Sequence, residues 1–439
     1  MKIVAHLDLD SFFASVERAL NPDLISRPVG ISAPRGQAMV TAATYDAKAK
    51  GVKVGMTRRE AQKLCPQMVF VQSRMEAYGL VSRRVRNIIE EYFQEYETLG
   101  LDECFVEYSS LHDKFKKNKS PYIDMENVGE MIREKIRKEL KITITVGIGS
   151  NKTVAKLATE SAKPDGILVL RTKKEELEFL YKQRLKDVMG VGPKTILKLE
   201  PYGYQKIGDI KNLSEEALKK IAGVYQGRFL YSLITNTPLK QVESNPDSKS
   251  MGATRSMKYY EKDPDGVFEE LLSEILNRLD KQRRTVRVII VVKVGERKGY
   301  GRKIDLKVQS RDYKEIAYNA RMIYRSMPDV GSVNFIGVTF NGLSRYEQIP
   351  LSGEYVPKEV GETPPIEKNR DKSSVNIKQA LYFGLKVKHK EYGEGIVLQC
   401  NDEGVLVDFK ERKRLYDKEN LKDFSIVISE KEWSEVREY

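Results

Sequence analysis

The strongest constraint on the fold lies at the start of the chain, where an apolar, β-branched run carries acidic residues at alternating positions. The run is Ile3–Asp10, and a helix-like pattern follows from Ser11, which we interpret as a helix N-cap. Carboxylates at the end of an apolar strand are costly to desolvate, which suggests that they have a functional role. We predict that they hold a divalent metal together with a second acidic pair, Asp102 and Glu103.

Composition limits the class of protein. The 439 residues, 40% of them hydrophobic, suffice for several packed domains. Lys and Arg number 76 against 63 acidic residues, and the net charge of +13 favours a polyanionic partner, either nucleic acid or an anionic membrane. No apolar run of about 18 residues occurs and the strand pattern begins at once, so we expect neither membrane insertion nor secretion, but a cytoplasmic location.

The metal must be a hard one. The 3 cysteines and 3 histidines are scattered along the chain, which excludes a disulfide framework and a zinc ribbon. Oxygen ligands therefore remain as the donors for any metal ion.

Strand and helix patterns alternate in the N-terminal part of the chain, which predicts an α/β or α+β layer with the acidic sites on neighbouring strands. Short helices with glycine turns follow. A polar, extended stretch at 235–249 has the composition of a linker. Residues 250–343 show the pattern strand, helix, two strands, helix, strand, and a second polar linker at about 352–380 precedes a small β module.

Nucleotidyl transfer gives the carboxylates a chemical purpose, because it uses one metal ion to activate the attacking hydroxyl and another to hold the departing pyrophosphate. Mg²⁺ prefers oxygen ligands, so Asp8, Asp102 and Glu103 are a suitable set if their strands are adjacent. Successive strand residues face opposite sides, so Asp102 and Glu103 reach one site only if the strand bulges or the glutamate bends back. Strand-end charges exposed to water are the alternative, and the acids taken alone favour it.

Five motifs occur in the order and spacing of a known family: Leu7–Glu17, Tyr45–Lys48, Leu101–Glu103, Gly147–Lys152 and Ala162–Gly166. On these motifs the chain resembles the Y-family (translesion) DNA polymerases, in particular the DNA polymerase IV branch. The resemblance implies an α+β multidomain fold, a right-hand polymerase with a little-finger α/β domain. The implied domains are a palm at 1–20 and 78–165, small fingers at 21–77, a helical thumb at 166–233, a linker at 234–249 and the little finger at 250–343.

The resemblance also implies roles for individual residues. The expected ligands of two Mg²⁺ ions are Asp8, Asp102, Glu103 and the backbone carbonyl of Leu9. Phe13 is the expected steric gate, because a ring against C2′ of the sugar leaves no room for a ribose hydroxyl, and Phe12 lines the same pocket. Asp10 is expected beside the ligands but not among them. The residues expected to bind the triphosphate of the dNTP are Tyr45, Lys48 and Lys163.

Each of these roles has a structural alternative. Phe12 and Phe13 begin a helix and are also consistent with ordinary core aromatics. Tyr45 is compatible with a helix-surface position, and Lys163, which precedes a proline, with a solvated turn. Lys48 stands where the family usually has arginine, so a point charge replaces a bidentate fork.

Two segments are predicted to hold DNA. Val188–Thr195 fits a helix-hairpin-helix, in which Gly190 and Gly192 permit the turn and free backbone N–H groups meet a phosphate, while Lys194 adds charge. A plain glycine turn is the alternative. In the little finger, a dense set of cations is expected to follow the phosphate backbone without reading sequence, although exposed strand charges are often just a solvated face. These are Lys281, Arg283, Arg284, Arg287, Lys293, Arg297, Lys298, Arg302 and Lys303.

The remaining segments suggest partners. Within the linker 344–384, Gln348–Leu351 resembles the sliding-clamp peptide of bacterial family members without its terminal aromatic, and a plain strand exit is the alternative. Residues 385–439 have the pattern of short strands around glycine turns, which predicts a small C-terminal β-barrel. This module resembles the Tudor/SH3-like tail of some superfamily-one repair helicases, and its partner, protein or DNA, stays open.

The sequence therefore predicts a Mg²⁺-dependent, template-directed DNA polymerase that acts as a monomer on primer-template DNA. It would add deoxynucleotides to a primer 3′-hydroxyl, including across damaged template. Low fidelity is expected because the short fingers leave little protein to check the nascent base pair. Two alternatives stay open, namely a catalytically inactive DNA-binding repair scaffold and another palm-bearing enzyme such as a cyclic-nucleotide synthase.

Overall fold

The computed structural model divides into two compact units, Met1–Asn245 with Lys372–Tyr439, and Pro246–Asp371. It describes residues 2–344 apart from short gaps, and beyond them only the backbone of five strands between 386 and 426. The gaps lie at 33–38, 238–240, 245–247, 258–262, 283–284, 295–298, 328–332 and 334.

The described part of the first 245 residues contains two sheets and a helical region. Its helices and strands are β1 (Val4–Leu9), α1 (Phe12–Leu20), β2 (Val29–Ser32), β3 (Val40–Ala43), α2 (Tyr45–Ala49), α3 (Arg58–Leu64), β4 (Val69–Gln72), α4 (Met75–Glu90), β5 (Glu97–Leu99), β6 (Glu103–Glu107), α5 (Pro121–Leu140), β7 (Ile144–Gly149), α6 (Lys152–Ala162), β8 (Ile167–Val169), α7 (Lys173–Lys182), α8 (Pro193–Leu199), α9 (Glu215–Ala222) and α10 (Val224–Thr235).

The larger sheet has the strand order β5-β6-β1-β7-β8, with β1 antiparallel to both of its neighbours. Side chains alternate along β1 as a strand requires. Leu7 joins the main core with α1, α4 and α5, whereas Val4 packs with Ala155 of α6 on the opposite face. The same alternation directs His6 and Asp8 to the α6 side, so the position of Asp8 follows directly from the strand pattern.

A glycine explains how closely α6 approaches this sheet. A Cβ atom at Gly147 of β7 would lie 2.2 Å from the carbonyl oxygen of Ala155, so no other residue fits there without displacing the helix. Asn151 then caps α6 by accepting the backbone N–H groups of Thr153 and Val154. The motif Gly147–Lys152 therefore sets the position of α6, and α6 carries side chains into the candidate site described below.

Two segments behave differently from the sequence-based expectation. β8 pairs with β7 and extends the larger sheet, although its residues were assigned to the thumb. In the predicted linker 234–249, Ile234 and Thr235 still belong to α10, and residues 241–244 pack against the same sheet. Lys2 donates to the Gln241 side chain at 2.8 Å and the Glu243 N–H donates to Glu97 at 2.8 Å.

The smaller sheet and the helical region complete this part. The smaller sheet has the order β3-β2-β4, in which β2 is antiparallel to β3 and parallel to β4. Helices α7 to α10 share a core with one face of α6, which includes Leu157, Leu180, Leu199, Leu218 and Leu230. Short helices with glycine turns were predicted for this region, and that pattern is confirmed.

The second unit is an antiparallel sheet of order β11-β10-β12-β9 with two helices that pack together against it. Its elements are β9 (Ser250–Ser256), α11 (Pro264–Lys281), β10 (Val286–Val294), β11 (Gly299–Ser310), α12 (Tyr313–Arg325) and β12 (Phe335–Asn341). This order is the predicted one, strand, helix, two strands, helix, strand.

The C-terminal segment forms an antiparallel sheet of order β16-β15-β14-β13-β17. The strands are β13 (Lys386–His389), β14 (Gly393–Asn401), β15 (Gly404–Phe409), β16 (Arg412–Tyr416) and β17 (Phe424–Ile426). Short strands are thereby confirmed, while closure into a barrel stays a prediction. None of the helices in the described residues has the length and apolar character needed to cross a membrane.

Candidate active site

Two of the predicted acids face each other across neighbouring strands. Asp8 of β1 lies directly opposite Glu103 of β6 in the antiparallel register. β6 begins at Glu103, so Asp102 lies in the turn before the strand, where its carbonyl accepts the Leu9 N–H at 2.9 Å. The expected conflict between successive strand residues therefore does not arise, and neither a bulge nor a bent glutamate is needed.

Lysine side chains lie against these carboxylates. Lys163 places its Nζ 2.8 Å from Asp8 Oδ2, and Lys156 of α6 places its Nζ 2.5 Å from Glu103 Oε2. His6, fully buried, has its Nε2 3.4 Å from the same Glu103 oxygen and its Nδ1 3.0 Å from the Thr159 hydroxyl. The acids thus lie among donors from three elements, which compensates part of their desolvation.

The electrostatics of the acidic pair are strongly perturbed. Burial, opposed by Lys163, raises the pKa of Asp8 to about 8, and the neighbouring Glu103 contributes to the rise. Although burial acts in the opposite direction, hydrogen bonds from His6 and Lys156 lower the pKa of Glu103. Burial and the charge of Glu103 also raise the pKa of Asp102. Closely spaced, desolvated carboxylates of this kind are stabilised by a cation.

The donor set fits a divalent metal. His6, Asp8 and Glu103 each offer a ligand atom, and these atoms all lie within 4.8 Å of one another. Two of the three donors are carboxylate oxygens, which suit a hard cation such as Mg²⁺. Asp102 is not part of this close group but lines the same cavity.

One cavity, of about 450 Å³, collects every side chain that the sequence assigned to metal or nucleotide. These residues come from β1, α1, α2, β6 with the turn before it, and the loop after α6, which are far apart in the chain. The predicted residues on its wall are Asp8, Leu9, Phe12, Phe13, Tyr45, Lys48, Asp102, Glu103 and Lys163. Glu160 also lines the cavity and pairs with Lys163 at 2.8 Å, although no sequence motif pointed to it.

The two phenylalanines occupy different environments. Phe12 is 3% exposed and belongs to the main core, so its structural alternative is correct in part, although it also borders the cavity. Phe13 is only partly buried and stacks on Tyr78 with ring centroids 4.4 Å apart. Tyr78 in turn donates its hydroxyl to the buried Glu17 at 2.7 Å. Phe13 is thus the aromatic ring that the fold supports from behind and leaves available to the cavity.

Ser11 does not act as predicted. It stands at the N-cap position of α1 but has the left-handed conformation, with φ at 46°, and makes no capping hydrogen bond with its side chain. Its hydroxyl instead accepts from Lys48 Nζ at 3.0 Å, and that ammonium lies 4.6 Å from the Tyr45 ring centroid. Burial and the nearby Lys163 lower the pKa of Lys48. The ammonium groups of Lys48 and Lys163 therefore lie close enough to repel each other, among the carboxylates that line the same cavity.

The comparisons with known proteins identify the family of this chain. The impB/mucB/samB family model matches residues 7–160, and the model of its C-terminal domain matches residues 248–352, together more than half of the chain. The DNA polymerase IV of Clostridium perfringens (strain 13) is 33% identical over 349 residues, which cover 77% of this chain and 94% of the relative. The chain belongs to the DNA polymerase IV family.

Other relatives of this DNA polymerase IV family member support the assignment. The DNA polymerase IV of Saccharolobus solfataricus is 32% identical over 355 residues, 77% of this chain and 96% of the relative. Among solved structures, a Y-family polymerase chimera of Dbh and Dpo4 matches with a TM-score of 0.65 at 26% identity, covering 78% of this chain and 99% of that one. The chain therefore has the Y-family polymerase fold and is a DNA-directed DNA polymerase.

The segment Val188–Thr195, predicted as a helix-hairpin-helix, contains a glycine turn that leads directly into α8. Gly190 has φ at 100°, a conformation that favours glycine, and Gly192 is the N-cap of α8 with Pro193 in its first turn. Lys194 is exposed beside it. The Gln226 side chain of α10 donates to the Gly190 carbonyl at 3.3 Å, so a second helix supports the turn.

The basic residues of the second unit are only partly within the described structure. Lys281, Arg287, Arg302 and Lys303 are exposed, and Arg287 lies 3.5 Å from Asp305. Four others lie outside the described residues: Arg283, Arg284, Arg297 and Lys298. Lys293 lies in β10, but its side chain is not described. Gln348–Leu351 also lies outside the described residues.

Sequence reasoning missed the groups that support the site from behind. Lys156, Thr159 and Glu160 lie on one face of α6, because they are three and four residues apart in a helix. This spacing does not indicate which side chains of other elements they contact. Tyr78 stacks on Phe13, and Glu17 accepts the Tyr78 hydroxyl. Glu17 ends the motif Leu7–Glu17, but the motif does not indicate a contact with Tyr78. Only the packing of α4 against α1 and of α6 against β1 reveals these contacts.

Proposed function

We propose that Asp8, Asp102 and Glu103 hold two Mg²⁺ ions at which a deoxynucleotide is joined to a primer 3′-hydroxyl, with the Leu9 carbonyl as a further ligand. The observation that carries the proposal is the single cavity lined by all of these residues. When bound, the metal ions lower the pKa of the attacking hydroxyl and stabilise the departing pyrophosphate. The chain's own part is to hold the carboxylates at fixed positions on β1 and before β6.

Other residues of the cavity bind the incoming nucleotide in this proposal. Tyr45, Lys48 and Lys163 bind the triphosphate, whose negative charge is offset by the two ammonium groups, while the Tyr45 hydroxyl donates to Asp10. Phe13 lies against the sugar and excludes a 2′-hydroxyl. The ammonium of Lys163 is shared with Asp8 at 2.8 Å, so it is already oriented toward the metal site before the nucleotide enters.

We assign the domains according to the right-hand architecture of the family. We assign the larger sheet with α4, α5 and α6 to the palm, the smaller sheet to the fingers, α7 to α10 to the thumb and the second unit to the little finger. The small fingers support low fidelity and tolerance of damaged template, since few residues are available to test the nascent base pair.

Primer-template DNA is the proposed partner. A Dbh structure whose title describes a ternary complex matches this chain with a TM-score of 0.59 at 27% identity, over 77% of this chain and 98% of that one. The hairpin of Gly190 and Gly192 with Lys194 would bind a backbone phosphate. Exposed cations of the little finger, among them Arg287, would follow the phosphate backbone. We place the enzyme in the cytoplasm as a monomer.

Primer extension with Mg²⁺ tests the proposed function. Each of the four deoxynucleotides is offered separately opposite an undamaged template and opposite an abasic site. Synthesis on both templates is expected, with frequent misincorporation. DNA binding without any synthesis would instead indicate the repair scaffold, and products formed from nucleotides without DNA would indicate a cyclic-nucleotide synthase.

We also propose that the C-terminal strands β13 to β17 form a Tudor/SH3-like barrel that recruits a partner, and that Gln348–Leu351 binds a sliding clamp. Neither task belongs to the chemical step. Deletion of residues 385–439 should therefore leave extension of a free primer within about twofold of the full chain, a change no larger than that of one weak contact. Steady-state extension at equal enzyme concentration measures this. A loss of tenfold or more would mean that the tail helps to hold DNA.

A further inference from the structure

Asp10 accepts hydrogen bonds from α2, from β7 and from the loop after α6. It is not among the described residues that line the cavity. Its side chain is 2% exposed. Asp10 Oδ1 accepts from the Tyr45 hydroxyl at 3.1 Å and from the Thr145 hydroxyl at 2.9 Å, and Oδ2 accepts the Asp165 backbone N–H at 2.8 Å. A buried carboxylate with three fixed donors determines the relative positions of the groups that donate to it.

Two of these three contacts lead to the cations of the cavity. The Tyr45 ring lies beneath the ammonium of Lys48, 4.6 Å from it. Asp165 is in the loop that follows α6, two residues after Lys163. The carboxylate of Asp165 is held from the opposite side by Arg133 at 3.2 Å and by Arg137 at 2.7 and 2.8 Å.

We propose that Asp10 is a positioning residue of the nucleotide site, one that sets Tyr45 with Lys48 and the Lys163 loop at the spacing required by the triphosphate. The inference rests on the proposed function, since it assumes that these cations bind a dNTP. Thr145 provides the control, because it also donates to Asp10 but is not itself among the described residues that line the cavity, and valine keeps the backbone that pairs with Asp8 across the sheet.

The change Asp10→Asn separates positioning from charge. Asparagine has one acceptor oxygen, so it loses one of the two links to the cavity while it keeps its size. Removing a negative charge beside an anionic ligand favours binding by itself. A rise in the KM for dNTP is therefore expected only if lost positioning outweighs this gain.

The test uses the full chain and measures kcat and KM for a dNTP, the Kd of the dNTP on a dideoxy-terminated primer, and Tm. For Asp10→Asn we expect KM and Kd to rise about tenfold, as for loss of a hydrogen bond to a charged group, with kcat within about threefold of wild type. Thr145→Val should lower Tm and leave KM within about twofold. An unchanged or lower KM in Asp10→Asn, or an equal rise in Thr145→Val, would overturn the proposal.

A second variant covers the case in which Asp10→Asn does not fold. Arg137 has a side chain that is 46% exposed, so Arg137→Ala should fold and loosen the Lys163 loop from the outside. We expect its KM for dNTP to rise about threefold, as for one partly exposed ion pair. An unchanged KM would count against Asp10 as well. If the wild-type chain extends no primer, the proposed function itself has failed.

Discussion

Replacement of Asp102 with alanine is expected to abolish primer extension, with kcat reduced by at least about a thousandfold. Asp102 lies in the turn before β6, and its side chain lines the cavity with Asp8 and Glu103. Without it the metal ions lose a carboxylate ligand, and charge that develops on the transferring phosphate is no longer stabilised. The affinity for primer-template DNA should stay within about twofold, because the proposed DNA contacts lie elsewhere.

Single-turnover extension measures the first quantity and fluorescence anisotropy of labelled primer-template the second. Asp113→Ala is the control for loss of a negative charge alone, since that side chain is 94% exposed and pairs only with Lys116 among the contacts described. Synthesis retained in Asp102→Ala would remove this residue from the metal site. It would leave the close group of Asp8, Glu103 and His6 as the remaining candidate ligands.

Replacement of Phe13 with alanine is expected to admit ribonucleotides. The Phe13 ring stacks on Tyr78 with an interplanar angle of 12°, and Tyr78 is fixed by Glu17. Because the ring is held in this way, it cannot move aside for a 2′-hydroxyl of the nucleotide. The methyl group of alanine leaves space for that hydroxyl. We expect the preference for a deoxynucleotide over the matching ribonucleotide, measured as a ratio of kcat/KM values, to fall by about a hundredfold.

Phe13→Tyr is the matched control, because it keeps the ring and should keep the preference within about threefold. Sugar selectivity that does not change in Phe13→Ala would show that another group forms the gate. Phe12→Ala is expected to differ in kind. Since Phe12 is 3% exposed in the main core, its truncation should destabilise the chain by about 3–5 kcal/mol.

Local patterns allowed much of the fold to be predicted from sequence. The alternation in β1 placed Asp8 on one face, the glycines of Val188–Thr195 indicated the turn before α8, and the order of elements in 250–343 was correct. Each of these depends on the period of a strand or on the backbone freedom of glycine, and both are properties of short segments.

Other expectations failed where a residue's surroundings decide its role. Ser11 is a residue type that commonly caps helices, yet its hydroxyl accepts a hydrogen bond from the ammonium group of Lys48 in another helix. Residues 241–244 have the composition of a free linker, yet Glu243 donates to Glu97. In both cases a side chain or backbone group distant in sequence offers the better hydrogen-bond partner.

By itself, the sequence determined which residues are candidates for the chemistry, because carboxylates, ammonium groups and an aromatic ring have fixed donor, acceptor and steric properties in any fold. Only the tertiary structure decided how these residues are supported. Lys156 reaches Glu103, Arg137 holds Asp165 and Asp10 joins Tyr45 to the Lys163 loop, each across a large sequence separation. Such pairs form when helices pack on a sheet, and local periodicity carries no information about which faces will meet.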